Sequence, residues 1–326
     1  MGSHLLYKLT AQGGSVKAIY RDAKKKSKVL EVFGFYSNEA QKLFDRVEWV
    51  QADITDLGSL EPHFQDIDHV YHCAALISFD PRQLNDLLRI NVSGTANMVN
   101  LSLKYKVSKF CHVSSIAALG SGKKGQPLNE DTEWNDNHVS VYGISKFESE
   151  LEVWRGSQEG LSVVIVNPGI VLGPGYWRSG SGALFKRASK GKRYSFPGGS
   201  GFVSVNDVVH SMVLLMHSTI EKERYILVNE NLTYHKVFDS MARALEVEPP
   251  SKQISLWILE ILWRIDFVQN RLLGKRRKLS KNIVKGLYEQ DIYENSKSKT
   301  IPGFSYESLD DVIVFCSEKL KAKMRG

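Results

Sequence analysis

The sequence predicts an α/β fold with a doubly wound parallel sheet and a smaller C-terminal lobe. Short β-branched runs alternate with longer helical stretches, which is the pattern of repeated strand–helix–strand units. After Asn167 the amino-acid composition changes, because residues 169–201 are rich in Gly, Pro, Ser and aromatic side chains. We therefore expect residues 1–168 to form the sheet domain. Residues 169–326 are expected to form mainly the smaller lobe, with some segments returning to the sheet.

The elements follow from hydrophobic periodicity and from turn signals. The predicted strands are Ser15–Tyr20, Val47–Ala52, His69–Cys73, Lys109–Ser114 and Leu161–Asn167. The predicted helices are Gly2–Gln12, Leu57–Phe64, Leu84–Lys104, Val141–Glu159, Asp207–Ser218, Tyr234–Leu245 and Ser255–Leu273.

The start of the chain departs from this plan. Residues 1–6 open a helix with no strand before it, and Gly2 alone can stand for the last glycine of a glycine-rich turn. A doubly wound dinucleotide-binding fold needs a first strand and such a turn before that helix. The first strand is thus missing from the sequence as it stands, and we expect the natural reading frame to begin upstream of Met1.

Composition and charge narrow the class of protein. Apolar residues make up 42% and charged residues 24% of the chain, as in ordinary globular proteins. The net charge of +7 equals the charge of one window, residues 271–285, which contains no acid. Its basic residues are Arg271, Lys275, Arg276, Arg277, Lys278, Lys281 and Lys285. Because the rest of the chain is neutral, a nucleic-acid partner is not expected.

The cysteines and the apolar runs indicate in which cellular compartment the protein is expected. Cys73, Cys111 and Cys316 lie in apolar runs without motif spacing, which is typical of reduced, buried thiols. No metal site is expected, and the cytoplasm is the predicted location. No apolar run approaches the about 20 residues that a spanning helix needs.

The segment Trp257–Leu273, followed by the basic window, has two interpretations. It is either a lobe helix packed on the core with a solvated basic end, or a helix that lies on an anionic membrane surface.

The strongest chemical signal is Tyr142-Gly-Ile-Ser-Lys146. Positions four apart share a helix face, so the phenol and the ammonium are expected to point the same way. A nearby positive charge would lower the pKa of the phenol and suit it to acid–base work on a carbonyl or an alcohol. Upstream, Ser114 and Ser115 end a predicted strand, where ligands bind in parallel sheets.

These residues occur with other motifs in a fixed order along the chain. They are Asp53, His72-Cys-Ala-Ala75, Asn91-Val-Ser-Gly-Thr95, Ser114-Ser115, Tyr142-Gly-Ile-Ser-Lys146, Asn167-Pro-Gly169 and Val205-Asn-Asp-Val208. In this order the sequence resembles the extended short-chain dehydrogenase/reductases, and most of all the dihydroflavonol-reductase-like branch of the NAD-dependent epimerase/dehydratase family. The resemblance runs from Gly2 to about Phe315 and implies a Rossmann-type sheet with a substrate-binding lobe.

The resemblance also implies roles. Ser115, Tyr142 and Lys146 would be the catalytic residues, with Asn91 supporting a proton relay and Lys146 also binding the nicotinamide ribose. Cofactor contacts would come from Gly2, Asp53, Ile54, Ala74, Ala75, Pro168, Gly169 and Ile170. A homodimer through the helices bearing Tyr142 and Asn91 is a further implication.

Charge bears on the choice of cofactor. An NAD-selective site places an acid after the second strand, about 20 residues past the glycines. Here Arg21 stands nineteen positions after Gly2, and Lys24, Lys25 and Lys26 follow. A guanidinium matches a 2′-phosphate, so NADP(H) is predicted over NAD(H).

The predicted activity is reduction of a ketone or aldehyde, or oxidation of the alcohol. Ile116 and Ala117 stand where sugar-nucleotide dehydratases of the family carry acids. A small, rather apolar substrate is expected from Leu76, Ile77, Ser78, Phe79, Tyr176, Trp177 and Phe202. Two alternatives stay open: a nucleotide-sugar epimerase or dehydratase, and a non-catalytic dinucleotide sensor or truncated inactive form.

Overall fold

The strands of the protein lie largely where the sequence predicts them. The structure is a computed structural model that describes residues 1–122, 125–135, 137, 139–273 and 281–325. In chain order, its strands are β1 Lys17–Tyr20, β2 Glu48–Gln51, β3 His69–His72, β4 Lys109–Val113, β5 Val163–Pro168, β6 Ile170–Leu172, β7 Tyr194–Ser195, β8 Gly199–Ser204, β9 Glu223–Leu227, β10 Glu230–Thr233 and β11 Lys252–Gln253.

The helices surround these strands. They are α1 Gly2–Ala11, α2 Lys26–Phe33, α3 Ala40–Asp45, α4 Leu57–Leu60, α5 Leu84–Leu87, α6 Gly94–Lys104, α7 Val141–Gln158, α8 Gly182–Ala188, α9 Val205–Met216, α10 Tyr234–Ala244, α11 Leu256–Leu273, α12 Lys281–Tyr288 and α13 Leu309–Arg325. Several begin at a hydroxyl N-cap. Ser140, Ser204 and Thr233 accept a first-turn backbone N–H of α7, α9 and α10.

The main sheet is parallel, in the order β3-β4-β5-β9. All residues of β4 and β5 are buried, as expected of central strands in a parallel sheet, and the buried set includes the polar side chains of Lys109, His112 and Asn167. Helices α6 and α7 pack on one face of this sheet and α9 on the other. The predicted α/β, doubly wound architecture is therefore confirmed.

The parallel strands are divided into two pieces. Strands β1 and β2 pair with each other in a separate two-stranded sheet. In the part of the chain that the structure describes, no strand joins β1 to β3, and the first element is α1.

The C-terminal half adds mostly small sheets and helices. Strands β10, β8 and β6 form one sheet, and β7 pairs with β11. Helices α8, α10 and α13 pack around a cluster that includes Leu172, Trp177, Phe185, Phe202, Phe238 and Ile313. From the same half, β9 joins the main sheet beside β5.

Two predicted helices are more irregular than expected. Residues 84–104 are not one α-helix, because the π-helical turn Leu88–Ser93 separates α5 from α6. The predicted helix Leu57–Phe64 is the short α4 followed by a 3₁₀ turn, in which Pro62 removes a backbone donor.

Among the residues that the structure describes, no helix combines the length and the apolar character needed to cross a membrane. Most side chains of the basic window of residues 271–285 lie outside the described residues.

Candidate active site

The candidate site lies at the carboxyl ends of β3, β4 and β5. The first residue of α1 is close to the end of β3, since a Cβ added at Gly2 would lie 3.9 Å from the Cβ of Cys73. Ala74 and Ala75 follow β3 and are exposed. The N-terminus of α1 and an open stretch of small residues therefore meet at one edge of the sheet, where doubly wound proteins bind nucleotides.

Ser115 sits just past the end of β4. Its hydroxyl accepts the Ala117 N–H at 3.2 Å and so caps a 3₁₀ turn over residues 116–119. The Asn167 amide at the end of β5 donates to the Ser115 carbonyl at 3.0 Å. Gly143 lets α7 approach this turn, because a Cβ there would lie 2.8 Å from the Ala117 carbonyl oxygen. The glycine after Tyr142 thus brings the tyrosine to Ser115.

The Ser115 side chain lies beside the Tyr142 phenol and interacts with it. Burial raises the pKa of Tyr142 to about 12, and the interaction with Ser115 only partly offsets this. The Phe79 ring packs edge-on against the Tyr142 ring, with centroids 5.6 Å apart. The predicted lowering of the phenol pKa is therefore wrong for this structure, in which desolvation dominates.

The position of the Lys146 ammonium explains why it does not lower the pKa of the Tyr142 phenol. This ammonium points to β4, where it donates to the Val113 carbonyl at 2.9 Å and to His112 Nε2 at 3.2 Å. Burial lowers the pKa of Lys146 to about 8, with Glu150 acting in the opposite direction. Tyr142 and Lys146 do come from one region of α7, but the positive charge is held against the strand.

Two residues of the site, His112 and Glu150, were not predicted from the sequence. His112 is buried in β4, and its pKa is held well below the usual range by burial and by Lys146, so the ring is neutral and accepts through Nε2. Glu150 is buried one turn after Lys146 and accepts from Asn167 at 2.5 Å. Burial raises its pKa. Two features of the sequence could have indicated them: a histidine inside an otherwise largely apolar strand, and a glutamate four residues after Lys146 on the same helix face.

Asn91 lies in the π-helical turn with its amide fully buried. Its oxygen accepts the Leu76 N–H at 2.7 Å, and its nitrogen donates to the Leu76 carbonyl at 3.0 Å and to Ser145 Oγ at 2.9 Å. The side chain thereby ties the loop after β3 to α7. π-Helical turns often occur at functional sites.

A second group of predicted residues meets at the ends of β1 and β2. Arg21 Nη1 lies 3.5 Å from Asp53 Oδ2. Asp53 also accepts from the Thr55 backbone and hydroxyl, each at 2.9 Å, and these contacts, with Arg21, lower its pKa. Ile54 packs on Gly94, where an added Cβ would come within 2.7 Å of Ile54 Cδ1.

The lysines after Arg21 differ from one another. Lys26 places its ammonium 4.8 Å from the centre of the Tyr20 ring and 5.1 Å from that of Trp49. Lys24 and Lys25 are exposed on the preceding 3₁₀ turn. Lys26 is thus a packing residue of the two-stranded sheet rather than only a solvated helix start.

Pro168, Gly169 and Ile170 join β5 to β6 at the same edge of the sheet. Gly169 is a point of close approach, because a Cβ there would lie 2.4 Å from the Gly201 carbonyl oxygen. The glycine is required for β6 to lie against β8.

The predicted substrate residues fall into two sets. Phe79, which packs on Tyr142, is 45% exposed; Ile77 in the same loop is 61% exposed, and Leu76 is half-buried. The Ser78 side chain is buried and donates to Gln83 at 2.6 Å within its own loop. The second set lies elsewhere: Tyr176 contacts Ser3 of α1 at 2.9 Å, and Trp177 and Phe202 are buried in the C-terminal cluster. Packing in that cluster overturns the expectation that Trp177 and Phe202 line a pocket.

The residues present fit a dinucleotide cofactor. A helix N-terminus and small exposed residues lie at the end of β3 in the main sheet, and a basic residue follows β1 in the separate two-stranded sheet. Within the described ranges, no group of three His, Cys, Asp or Glu side chains is placed to hold a metal ion.

Sequence comparison gives a matching family and several relatives. The NAD dependent epimerase/dehydratase family matches residues 1–228. A putative dihydroflavonol 4-reductase from Synechocystis is 24% identical over 96% of this chain and 89% of its own length. Sterol demethylase protein B from Methylococcus capsulatus is 28% identical over 73% and 69%. Tetraketide alpha-pyrone reductase 2 from Arabidopsis thaliana is 28% identical over 74% and 78%.

Solved structures share the fold. The crystal structure of gox2253 aligns with a TM-score of 0.80 at 22% identity, over 99% of this chain and 96% of the other. WbmH from Bordetella bronchiseptica, solved in complex with NAD⁺, aligns with a TM-score of 0.73 at 20% identity, over 98% and 94%. At these identities the likeness concerns the fold alone.

Proposed function

Because the chain belongs to the NAD-dependent epimerase/dehydratase family and is an NAD(P)-dependent oxidoreductase, we propose that it reduces a ketone or aldehyde on a small, rather apolar substrate, or oxidises the corresponding alcohol. The observation that carries the proposal is the placement of the Ser115 side chain beside the Tyr142 phenol, with which it interacts. The two side chains lie at the carboxyl end of the buried parallel strands, with Lys146 one helical turn away.

The proton donor in this proposal is Tyr142. A phenol with a pKa of about 12 is protonated at neutral pH, so it can give its proton to a carbonyl oxygen that gains negative charge. Ser115 lies beside the same phenol, and its hydroxyl can hold that oxygen in place. The cofactor, when bound, supplies the hydride that becomes attached to the carbonyl carbon.

Lys146 and its partners hold positive charge near the reaction. The neutral His112 ring and the Val113 carbonyl accept from the ammonium, and Glu150 lies one turn further along α7. We propose that Lys146 stabilises the phenolate left when Tyr142 gives up its proton. Asn91 is proposed to act with this group as part of the proton path, through Ser145 on α7.

NADP(H) is the proposed cofactor. Arg21 is exposed at the end of β1 and is held beside Asp53 at 3.5 Å. A guanidinium there can pair with a 2′-phosphate, whereas a 2′-hydroxyl gains less from the charge. Gly2, Asp53, Ile54, Ala74, Ala75, Pro168, Gly169 and Ile170 are the other proposed contacts.

An apolar substrate is proposed from the loop over Tyr142. Ile77 and Phe79 are exposed there, and two relatives are named for a sterol and a tetraketide pyrone. Leu76, Ser78 and Tyr176 remain proposed substrate contacts. A dehydratase is disfavoured, because Ile116 is packed in a core cluster with Leu119 and Leu128. Ile116 therefore supplies no acid at the position after Ser115.

Further features of the enzyme are proposals of the same kind. The division at residues 168 and 169 separates a dinucleotide-binding domain from a mainly substrate-binding lobe. We also propose a homodimer through α6 and α7, a cytoplasmic location and no nucleic-acid partner. The homodimer is supported by Leu151, an apolar side chain of α7 that is exposed in the single chain.

The test joins cofactor binding to turnover. Fluorescence titration with NADPH and NADH should give tighter binding of NADPH. A panel of apolar ketones and aldehydes should then be reduced with consumption of NADPH, and UDP-glucose should be inert.

Each other outcome points to a specific alternative. Tight NAD⁺ binding with turnover of UDP-glucose would favour the epimerase. Dinucleotide binding without turnover of any carbonyl substrate would favour the non-catalytic sensor, and no binding of either dinucleotide would favour a truncated inactive form.

A further inference from the structure

Arg224 lies on β9, the strand from the C-terminal half that pairs with β5. Its Nε donates to the Glu130 carbonyl at 2.9 Å, and its Nη2 donates to the same oxygen. Its Nη1 donates to Glu150 Oε2 at 3.4 Å. The Glu130 carboxylate in turn accepts the Ile226 N–H of β9 at 2.7 Å. The guanidinium is therefore held by the segment before α7 and faces a carboxylate of α7.

The Glu150 carboxylate is the next link toward the candidate site. Its side chain is only 1% exposed, and burial raises its pKa, while the charge of Arg224 acts in the opposite direction. Arg224 thereby favours the ionised form, which accepts hydrogen bonds and cannot donate them. Glu150 Oε1 accepts from Asn167 Nδ2 at 2.5 Å. The ionised carboxylate thus requires Asn167 to present its NH₂ group, and not its oxygen.

The same amide nitrogen supports Ser115. Asn167 Nδ2 also donates to the Ser115 carbonyl at 3.0 Å, so both of its hydrogens are used. Within the described part of the chain, the buried Asn167 Oδ1 has no hydrogen-bond partner. Two acceptors therefore set the orientation of this amide. If the amide turned over, its oxygen would face the Ser115 carbonyl oxygen, and the backbone at Ser115 would lose a hydrogen bond.

We propose that Arg224 is a positioning residue for the reaction, which acts through Glu150 and Asn167 to hold Ser115 beside the Tyr142 phenol. The contacts run from the edge strand β9, across the end of β5, to the end of β4. The C-terminal half would in this way help to align the proton donor with its substrate. The effect on turnover rests on the proposed oxidoreductase function, whereas the contacts do not depend on it.

Glu150→Gln tests the orientation of the Asn167 amide. The new side chain has one oxygen for two donors, and the charged guanidinium of Arg224 competes for that oxygen more strongly than a neutral amide does. The new NH₂ group would then face Asn167 and turn its amide over. We expect kcat to fall about 10- to 100-fold because Ser115 is displaced, while the KM for NADPH stays within about twofold of the wild type.

Arg224→Met removes the cation and keeps Glu150. A buried carboxyl without its cation takes up a proton, and it can then donate as well as accept. The Asn167 amide is no longer held in one orientation, so kcat should fall about tenfold.

The double variant Glu150→Gln with Arg224→Met should be more active than Glu150→Gln alone. Without the guanidinium, the new amide oxygen is free to accept from Asn167 again, and kcat should rise at least about threefold above that of the single variant. An ion pair with a purely structural role predicts the opposite order, because the double variant would then be no more active than either single variant.

The matched control is Lys297→Gln. Lys297 pairs at 2.6 Å with Glu223, the residue before Arg224 on β9, so this variant removes an ion pair from the same strand and should keep wild-type kcat. Thermal unfolding checks that each variant is folded. If Arg224→Met does not fold, Glu150→Gln, which keeps the shape of the side chain, carries the test alone.

A second measurement needs no turnover. The side-chain amide of Asn167 can be identified in heteronuclear NMR spectra by its absence from Asn167→Asp. We expect its protons to exchange slowly with solvent in the wild type and in Lys297→Gln, and at least about tenfold faster in Glu150→Gln and in Arg224→Met. Exchange should be slow again in the double variant.

The two measurements separate this positioning role from the oxidoreductase proposal. A wild-type protein that reduces no carbonyl but shows the expected exchange pattern would remove the oxidoreductase proposal and leave Arg224 as the residue that orders Ser115. Unchanged exchange in both single variants would overturn the positioning role. Wild-type kcat in both single variants, or a double variant no more active than Glu150→Gln, would also overturn it.

Discussion

The two ends of the candidate cofactor cleft are built differently. At the end that holds Tyr142, the polar groups are buried between α7 and two fully buried strands, and they bond to backbone atoms. At the other end, Arg21 is largely exposed on the separate sheet of β1 and β2, and its partner Asp53 is only partly buried. The first end is fixed by packing, whereas the second relies on charges in contact with water.

This difference indicates where each kind of interaction acts. Desolvation governs the buried end, since it raises the pKa of Tyr142 to about 12 and lowers that of Lys146 to about 8. At the exposed end an ion pair at 3.5 Å contributes little to stability, but it leaves a cation available to a ligand. Changes at the buried end should therefore affect the rate of reaction, and changes at the exposed end should affect the choice of ligand.

The largest expected effect is that of Tyr142→Phe. Loss of the proton donor should lower kcat by about 10²–10⁴, while the affinity for NADPH stays close to that of the wild type. Tyr194→Phe, at an exposed tyrosine of β7, is the matched control and should leave kcat unchanged. Steady-state kinetics with NADPH titration measures both. A Tyr142→Phe protein that keeps wild-type kcat would remove Tyr142 from the chemistry.

At the exposed end, Arg21→Gln should change selectivity and not kcat. Loss of a charge-assisted contact with the 2′-phosphate should weaken NADPH binding by about 10- to 100-fold and leave NADH binding almost unchanged. Lys25→Gln, at the neighbouring exposed turn, is the control. Equal losses for the two dinucleotides would argue against a role of Arg21 in reading the phosphate.

The pH profile separates the two ends as well. Lys146, with a pKa of about 8, is a cation below that pH and loses its proton above it. If the cation stabilises the Tyr142 phenolate, kcat should fall about tenfold between pH 7 and pH 9. Cofactor selectivity should not change over the same pH range, because it is proposed to depend on Arg21 and not on Lys146.

Loss of the Lys146 proton should lower kcat but should raise the stability of the fold. The unfolded chain binds a proton at Lys146 up to a pKa of about 10.4, so the free energy of unfolding should rise between pH 8 and pH 10 relative to a Lys146→Met variant. The buried cysteines are common to both proteins and cancel in this difference. If kcat and relative stability fell together, loss of structure would explain the profile.

The smallest expected effect lies at the two-stranded sheet. Lys26→Gln removes the ammonium above the Tyr20 and Trp49 rings, and should lower the free energy of unfolding by about 0.5–1 kcal/mol. Denaturant unfolding measures it, with Lys25→Gln as the control. A loss equal to that of the control would mean that the rings of β1 and β2 do not depend on this cation.

Much of the fold could be predicted because its signals are local. The buried strands β4 and β5 are short runs of mostly apolar residues between turn signals, and both lie where those runs predicted them. The motif positions also predicted that Ser115 lies beside Tyr142, whereas the pairing of Arg21 with Asp53 was seen only in the structure.

The features that were missed depend on burial and on tertiary contacts. Helical spacing put Lys146 on the face of Tyr142, but it could not show that His112 and the Val113 carbonyl hold the ammonium. Desolvation then reversed the expected pKa shift of the phenol. Aromatic loop residues gave no sign of whether they face a pocket or the core, and Trp177 and Phe202 are in the core.

The π-helical turn Leu88–Ser93 lies between α5 and α6 and restricts how the number of residues in this helical segment can vary. Such a turn holds one residue more than the regular pitch allows, like a single-residue insertion accommodated within a helix. Deleting one residue there would restore regular pitch and rotate the preceding part of the helix by about 100° relative to α6. Asn91 would then lose Leu76 or Ser145. Any homologous chain that keeps these contacts must therefore keep the residue count of this segment.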